Sequence, residues 1–193
     1  AIHSGSYRER AQVDPVFHDQ SHFFALRLEA YYLFPAERVP EASELLRRLV
    51  HDCQHRRFAL VHGDYSPKNI LIQGDRMVLL DHEAANFGDP TFDIGFAMAL
   101  FLSKALHLPE HREQIRTGAK TFWRSYETGL PQAPEFADVS AQCVRQTLGC
   151  TLARVAGKSL AEYLTPEERQ QQWEHVLHFR SEEHTSELQS HHD

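Results

Sequence analysis

Four side chains in the first half of the chain have the types and spacing for magnesium-assisted chemistry on a hydroxyl group. His62 is followed by Asp64 two positions on and by Asn69 five positions later, and Asp81 comes twelve residues after Asn69. An aspartate can accept the proton of a hydroxyl, and carboxylate and amide oxygens are ligands that magnesium accepts in proteins. Ordinary turn residues at the ends of a strand pair are the alternative, because Asp and Asn favour turns. The combined spacing favours a catalytic site.

A predicted β-hairpin would bring these residues together. Two short apolar runs, residues 70–73 and 76–80, are joined by a Gly-Asp pair that is typical of a two-residue hairpin turn. Pairing the runs across this turn places Asn69 opposite Leu80, one residue from Asp81. Because both runs are apolar on both faces, we expect the hairpin to be buried and rigid, as a platform for a metal ion needs to be.

The segment around these residues resembles the aminoglycoside phosphotransferase and choline kinase family, whose members share the protein-kinase fold. The resemblance rests on the runs LVHGDYSPKNIL at 60–71, LDHE at 80–83 and GDPTFDIG at 88–95. It is strong over about residues 58–105 and looser from there to about residue 178. It implies an ATP- and magnesium-dependent transfer of phosphate to a hydroxyl of a small molecule.

The resemblance also implies roles for five residues of this chain. Asp64 would be the catalytic base, and Asn69 and Asp81 would be the magnesium ligands. His62 would be a structural residue of the catalytic loop. Asp93 would brace that loop from the start of the following helix. The residues that bind the nucleotide itself are not identified by this comparison of motifs.

The two residues after Asp81, His82 and Glu83, differ in how well they match the motifs of the family and of protein kinases. Glu83 lies where many members of the family carry a second acidic residue, so that it is a supporting residue whose role in metal binding stays open. His82 replaces the Phe of the Asp-Phe-Gly signature of protein kinases, which is a common departure among the small-molecule kinases.

Residues 1–61 lack the features that clamp ATP in this fold. A glycine-rich loop and a lysine normally precede the catalytic loop, but none of the four lysines of this chain precedes it and only Gly5 precedes Gly63. The composition of this region is typical of helices. We therefore expect residues 1–179 to be the C-terminal lobe of a kinase whose N-terminal lobe has been lost by truncation. Such a fragment would be inactive alone and would expose apolar surface that promotes aggregation.

The last fourteen residues, 180–193, differ from the rest of the chain. They include a single large apolar residue and closely resemble the in-frame translation of a sequencing-adaptor oligonucleotide. We expect a non-native or disordered tail, with a natural polar tail as the alternative. The tail carries one arginine and four acids, a net of −3, so that the remaining residues carry −4 of the formal −7.

Composition bounds the class of protein. A chain of 193 residues with 41% apolar content can bury a sizeable core, and its mild acidity argues against a nucleic-acid partner. The apolar stretches are too short to span a bilayer, which argues against a membrane partner. Three cysteines without paired spacing favour reduced thiols in a cytoplasmic protein. The oligomeric state and the acceptor molecule stay open.

Hydrophobic periodicity predicts a mainly helical α+β fold in which the hairpin is followed by further helices. The predicted helices are a buried one at 17–33 that ends before Pro35, an amphipathic one at 41–56, a central one at 92–106, and further ones at 109–126, 136–164 and 166–179. Thr165 and Glu168 have the spacing of a capping box at the start of the last helix.

Two alternatives compete with these expectations. Histidine pairs four residues apart occur at 18/22, 51/55 and 107/111, a spacing that can place two metal ligands on one helix face. With fourteen histidines in the chain such pairs arise by chance, and we expect structural or surface roles. The second alternative is a non-catalytic binding module that keeps the kinase fold, against which the complete set of Asp64, Asn69 and Asp81 argues.

Overall fold

The structure is a computed structural model that describes the backbone of residues 2–190 and the side chains of residues 2–179. Helices make up 69% of the structure, and the strands form small antiparallel sheets. This composition confirms the mainly helical α+β class that the sequence predicts. Among the described residues no single helix is long and apolar enough to span a membrane. The helices Thr91–His107 and Pro109–Thr128 have the necessary length and composition only when taken together, and the chain bends by 116° between them.

Eight helical elements are described here in chain order. They are α1 (Ile2–Arg8), α2 (Arg10–Phe17), α3 (Ser21–Phe23, continued by a π-helical stretch Phe24–Leu33 and by Phe34–Ala36), α4 (Ser43–His55), α5 (Thr91–His107), α6 (Arg112–Thr128), α7 (Val139–Ala156) and α8 (Pro166–Ser190). The strands are β1 (Ala59–Val61), β2 (Ile70–Gln73), β3 (Arg76–Leu79) and β4 (Asn86–Gly88).

Two antiparallel strand pairs frame the segment between α4 and α5. β1 pairs with β4, with Val61 opposite Asn86, and β2 pairs with β3, with Gln73 opposite Arg76. The second pair is the hairpin in the register that the sequence predicts. β1 and β4 are buried, so that the chain enters and leaves the hairpin region from the interior of the protein.

The core lies around α5, the most apolar helix. Phe92 and Phe96 of this helix pack against Tyr31 and Tyr32 of α3, and α4 contributes Leu46, Leu49 and Val50 to the same cluster. α5 also packs along α7. The amphipathic face predicted for α4 is therefore the face that it buries.

Several of the predicted helix limits are wrong, among them the start at residue 17, since α2 ends at Phe17 and α3 begins at Ser21. α3 continues through Pro35, whose carbonyl oxygen still accepts the N–H groups of Arg38 and Val39. Pro35 follows directly on π-helical turns, whose hydrogen bonds already differ from the α pattern, so that it does not end the helix. α7 is shorter than the predicted helix at 136–164, because the backbone becomes extended at Gly157.

The C-terminal helix begins as predicted. The N–H of Thr165 donates to Glu168 and the N–H of Glu168 donates to Thr165 Oγ1, which confirms the capping box. The backbone of α8 is helical to Ser190, beyond the limit of residue 179 expected from the sequence. The non-native or disordered tail is expected at 180–193. The side chains of residues 180–190 and the whole of residues 191–193 lie outside the described part of the structure.

The prediction of a buried hairpin is wrong. Leu71 is 54% exposed, Ile72 is 74% exposed and Met77 is 60% exposed. An apolar run records a preference for burial, but it does not supply the surface that would cover it. Within the described residues no helix or other strand packs extensively on this hairpin.

Candidate active site

The loop between β1 and β2 is fixed by a carboxylate from the first turn of α5. Asp93 is 3% exposed, and its two oxygens accept hydrogen bonds from the backbone nitrogens of His62 at 2.7 Å and of Gly63 at 2.9 Å. Hydrogen bonds to an ionised acceptor are stronger than those between neutral groups. Asp93 therefore holds two successive peptide groups just before Asp64.

Gly63 permits the turn between His62 and Asp64. Its φ is +80°, a conformation that residues with a side chain rarely adopt. A Cβ atom here would lie 2.8 Å from the Cβ of Ala84 and 2.9 Å from its carbonyl oxygen. The loop can therefore pack against the segment after the hairpin only with glycine at this position.

The ring of His62 connects the loop to the end of the hairpin. Its Nδ1 accepts the N–H of Asp64 at 3.2 Å, and its Nε2 lies 2.9 Å from the carbonyl oxygen of Leu80. The first contact needs a bare Nδ1, so that the proton resides on Nε2 and is donated to Leu80. The buried ring of His62 thus links the loop to Leu80, the residue directly before Asp81.

Asn69 lies beside Asp64 at the base of the hairpin. Its side-chain nitrogen donates to the carbonyl oxygen of Asp64 at 2.9 Å, and its own carbonyl oxygen accepts the N–H of Leu80 at 2.8 Å. The second bond confirms that Asn69 stands opposite Leu80. Because the amide nitrogen is engaged in the loop, the side-chain oxygen is the atom left for ligation of a metal ion.

Asp81 follows Leu80 and lies at the same end of the hairpin as Asn69. It is exposed, and its φ of +64° makes it the one residue other than glycine with a positive φ in the described part of the chain. Such strained backbone conformations are concentrated at functional sites. His82 and Glu83 are exposed beside it. The hairpin therefore brings two of the predicted ligand residues together, next to the predicted base.

Two cationic side chains contact the carboxylate of Asp64, which is 5% exposed. Arg27 Nη2 lies 3.3 Å from Oδ2, and Lys68 Nζ lies 2.9 Å from the same oxygen. Sequence analysis missed both contacts. Lys68 could have been found from its i,i+4 spacing to Asp64 within the motif, whereas Arg27 belongs to α3 and no sequence signal connects it with the loop.

A cavity of about 430 Å³ opens beside the catalytic loop. Apolar and aromatic side chains form most of its wall, among them Tyr65, Met77, Leu79, Phe122 and Tyr126. The ring of Tyr65 stacks on that of Phe122 with centroids 6.3 Å apart. Burial raises the pKa of Tyr126, and that of Tyr65 is raised by the same cause, so that both phenols stay neutral at ordinary pH.

The N-terminal helix closes one side of this cavity. His3 Nε2 lies 3.1 Å from Asp93 Oδ2, and His3 Nδ1 lies 3.2 Å from the hydroxyl of Tyr126. Asp93, which holds the loop between β1 and β2, is thus also connected to α1 directly and to α6 through His3. Nothing in the sequence analysis pointed to His3 or Tyr126, because His3 meets Asp93, and Tyr126 meets His3, only through the tertiary fold.

The histidine pairs form no metal site in the described part of the chain, where no group of three or more His, Cys, Asp or Glu side chains could hold an ion. The rings of His51 and His55 stack with centroids 4.0 Å apart, and His55 Nδ1 bonds to the carbonyl oxygen of His51. His107 instead contacts Glu168.

Comparison with known proteins agrees with this geometry. Residues 6–136 match the model of the phosphotransferase enzyme family, and the chain belongs to this family. Two similar relatives are methylthioribose kinases, from Enterobacter sp. (strain 638) and from Citrobacter koseri. Each is 30% identical over 111 residues, which cover 48% of this chain and 28% of the relative. The chain thus matches little more than a quarter of the length of these relatives.

Proposed function

We propose that this chain is the C-terminal lobe of a protein-kinase-like phosphotransferase that uses ATP and magnesium to phosphorylate a hydroxyl of a small molecule. The observation that carries the proposal is the convergence of Asp64, Asn69 and the Asp81 end of the hairpin on a loop held by Asp93. Membership of the phosphotransferase enzyme family supports the same reaction class.

Asp64 is the catalytic base in this proposal. Its buried carboxylate accepts the proton of the acceptor hydroxyl while that oxygen attacks the γ-phosphorus in line with the leaving nucleoside diphosphate. Positioning contributes most of the rate in such transfers, because little covalent chemistry is asked of the protein. Asp93 and His62 hold the loop that carries Asp64.

Asn69 and Asp81 are the magnesium ligands in this proposal, with Glu83 as a supporting acid. The donor set fits the ion, since magnesium is usually held by one or two carboxylates together with substrate phosphates rather than by a cage of protein ligands. When bound, magnesium and ATP supply the phosphoryl group and the positive charge that offsets its oxygens. The residues that clamp the nucleotide belong to the N-terminal lobe that we propose for the complete protein.

The acceptor that we propose is a sugar-like molecule with an apolar substituent. The cavity beside Tyr65 has a mainly apolar wall, in which Phe122 and Leu79 could contact such a group. Relatives named methylthioribose kinase support an acceptor of this kind, since that molecule joins a methylthio group to a hydroxylated sugar. No part of the proposal involves nucleic acid or a membrane.

We place this activity in the cytoplasm. All three cysteines are free and buried, and burial raises the pKa of the thiol of Cys150 to about 12. Thiols in this state are inert and suit a reducing compartment.

The test uses the full-length product of the gene from which this chain derives. Asp64→Ala should lower turnover by about 10³-fold or more while ATP binding persists, because the base acts in the chemical step. Asp75→Ala, in the exposed hairpin turn, is the matched control and should keep normal turnover. Undiminished turnover of Asp64→Ala would show that Asp64 is not the catalytic base.

The full-length protein also distinguishes the proposed kinase from the second candidate function, a binding module without catalysis. Absence of phosphoryl transfer to any hydroxylated metabolite, combined with ATP binding by the wild-type protein, would favour that alternative. The 193-residue chain alone should bind ATP weakly in calorimetry, and micromolar affinity would contradict the proposed need for an N-terminal lobe.

A further inference from the structure

Arg27 contacts the catalytic loop at two points although it lies far from the loop in sequence. Its Nε donates to the carbonyl oxygen of Gly63, and its Nη2 pairs with Asp64 Oδ2 at 3.3 Å. The side chain is only 13% exposed. A guanidinium presents its donors in a rigid plane, so that two contacts from one group fix the direction of the carboxylate as well as its charge.

The backbone of Arg27 is itself fixed by the core. Arg27 lies in the π-helical stretch of α3, in which Leu28, Tyr31 and Tyr32 are buried. Phe23, one helical turn earlier, packs on Gly63, with its Cδ2 3.2 Å from where a Cβ of that glycine would lie. This face of α3 therefore rests directly on the turn before Asp64.

Lys68 pairs with the same oxygen but cannot have the same effect. Its side chain is 69% exposed, and an ammonium on a flexible stem in water gives a weak and screened ion pair. Arg27 is largely shielded from solvent and is held on the neighbouring peptide group as well. On these grounds the buried contact is the one better able to hold the Asp64 carboxylate in one orientation.

We infer that Arg27 is a positioning residue that orients the Asp64 carboxylate for proton transfer, an inference that rests on the proposed function. Both cations engage Oδ2, so that Oδ1 accepts the hydroxyl proton. In that step the O–H bond of the acceptor breaks and its oxygen bonds to the γ-phosphorus. The bond from that phosphorus to the leaving nucleoside diphosphate breaks, and the proton ends on Oδ1 of Asp64.

The test measures steady-state kinetics of the full-length protein with Arg27→Ala, Arg27→Lys and the control Arg38→Ala. Arg38 lies just after the same helix, is exposed and stacks on Phe34. Arg27→Ala should lower kcat by about 10²-fold, the cost typical of a misplaced catalytic group, with the KM for ATP changed less than about threefold. Arg27→Lys, which keeps the charge without the planar fork, should lie between Arg27→Ala and wild type.

Chemical rescue separates positioning from a general loss of stability. Guanidinium ion added to Arg27→Ala should restore kcat several-fold, while sodium at equal ionic strength should not, and neither should change Arg38→Ala. A normal kcat of Arg27→Ala, or a loss that guanidinium leaves unchanged, would overturn the inference.

A double-mutant comparison distinguishes failure of this inference from failure of the proposed function. If Asp64→Asn abolishes turnover and Arg27→Ala does not affect it, the function stands and the role of Arg27 is wrong. If Asp64→Asn is fully active, the assignment of Asp64 as the base fails, and the inference about Arg27 fails with it; if the wild-type protein transfers no phosphate to any hydroxyl, the proposed function itself fails. The free energy of unfolding of the 193-residue chain provides a separate check. The losses caused by Arg27→Ala and by Asp64→Asn should not add up in the double variant, because the two side chains are in contact. Additive losses would contradict an energetic coupling between Arg27 and Asp64.

Discussion

Asp93 Oδ1 accepts a hydrogen bond from the backbone nitrogen of Gly63 at 2.9 Å, and this bond joins the first turn of α5 to the turn that carries Asp64. The other oxygen of Asp93 holds the backbone nitrogen of His62. The loop between β1 and β2 is therefore tied to α5, a helix at the centre of the described core. Since α5 is packed on several sides, the loop inherits the rigidity of the core, which a site that depends on positioning requires.

Asp93→Asn should weaken this attachment. An amide offers one acceptor oxygen, so that one of the two backbone N–H groups loses its partner and faces an NH₂ group instead. A buried donor left unpaired costs about 1–3 kcal/mol of stability. Chemical denaturation of the 193-residue chain measures this loss, with the exposed Asp75→Asn as a control. Equal midpoints for Asp93→Asn and Asp75→Asn would contradict the bracing role.

Gly63→Ala should destabilise the protein more than Gly74→Ala. Both glycines have positive φ, +80° and +56°, so that both substitutions pay the penalty of about 1–2 kcal/mol for a left-handed side chain. Only at Gly63 does a Cβ also meet another atom, the Cβ of Ala84 at 2.8 Å, whereas nothing lies within 4 Å at Gly74. The difference between the two free energies of unfolding isolates the effect of the close approach. Equal losses of unfolding free energy in the two variants would show that Ala84 moves aside without a measurable loss of stability.

The proposed acceptor predicts a selectivity that depends on Phe122. If the cavity takes an apolar substituent, the full-length protein should prefer methylthioribose to ribose by about 10-fold or more in kcat/KM. Phe122→Ala should reduce this preference, since it removes part of the apolar wall. The exposed Phe179→Ala should leave it unchanged. A preference that survives loss of Phe122 would place the acceptor elsewhere.

Attachment of α8 should weaken in acid through Glu168. Its pKa is lowered by the hydrogen bond from the backbone of Thr165 and then by that from His107. A carboxyl whose pKa is depressed in the folded state stabilises the fold above its ordinary value of 4.5 and loses this contribution as the pH falls below that value. Glu168→Gln should therefore flatten the acid dependence of the unfolding midpoint, relative to the exposed neighbour Glu167→Gln. Parallel pH profiles for the two variants would exclude this linkage.

The cap itself can be tested apart from pH. Thr165→Ala should lower the free energy of unfolding by about 1 kcal/mol at neutral pH, because the N–H of Glu168 loses its acceptor. Thr128→Ala is a matched control, since its hydroxyl bonds to a carbonyl oxygen near the end of α6 and caps no N–H group. A loss no larger at Thr165 than at Thr128 would mean that the cap is unimportant.

The exposed hairpin predicts self-association of the 193-residue chain. Ile72 and Met77 are cross-strand partners and are 74% and 60% exposed. Replacing them together by Glu and Lys should keep the thermal unfolding midpoint and reduce light scattering at high concentration, because opposite charges are tolerated across a strand pair. Leu160→Lys on another exposed site should not reduce scattering. Unchanged scattering of the hairpin variant would exclude this surface as the cause.

The sequence by itself determined the local features of this protein. The Gly-Asp turn and the apolar runs beside it specified the register that puts Asn69 opposite Leu80, and the spacing of Thr165 and Glu168 specified a cap. These features are decided by hydrogen bonds between residues close in the chain, so that a short stretch of residue types contains the necessary information.

Only the tertiary structure decided which distant groups surround the site. Arg27 reaches Asp64 from α3, and His3 reaches Asp93 from α1, because helices whose sequence patterns show only an apolar face are packed against the loop in one particular rotation. Exposure of the hairpin was likewise decided at this level. A run such as Ile70–Gln73 encodes a preference for burial, but burial also requires a surface to cover it, and a short stretch of sequence cannot specify that surface.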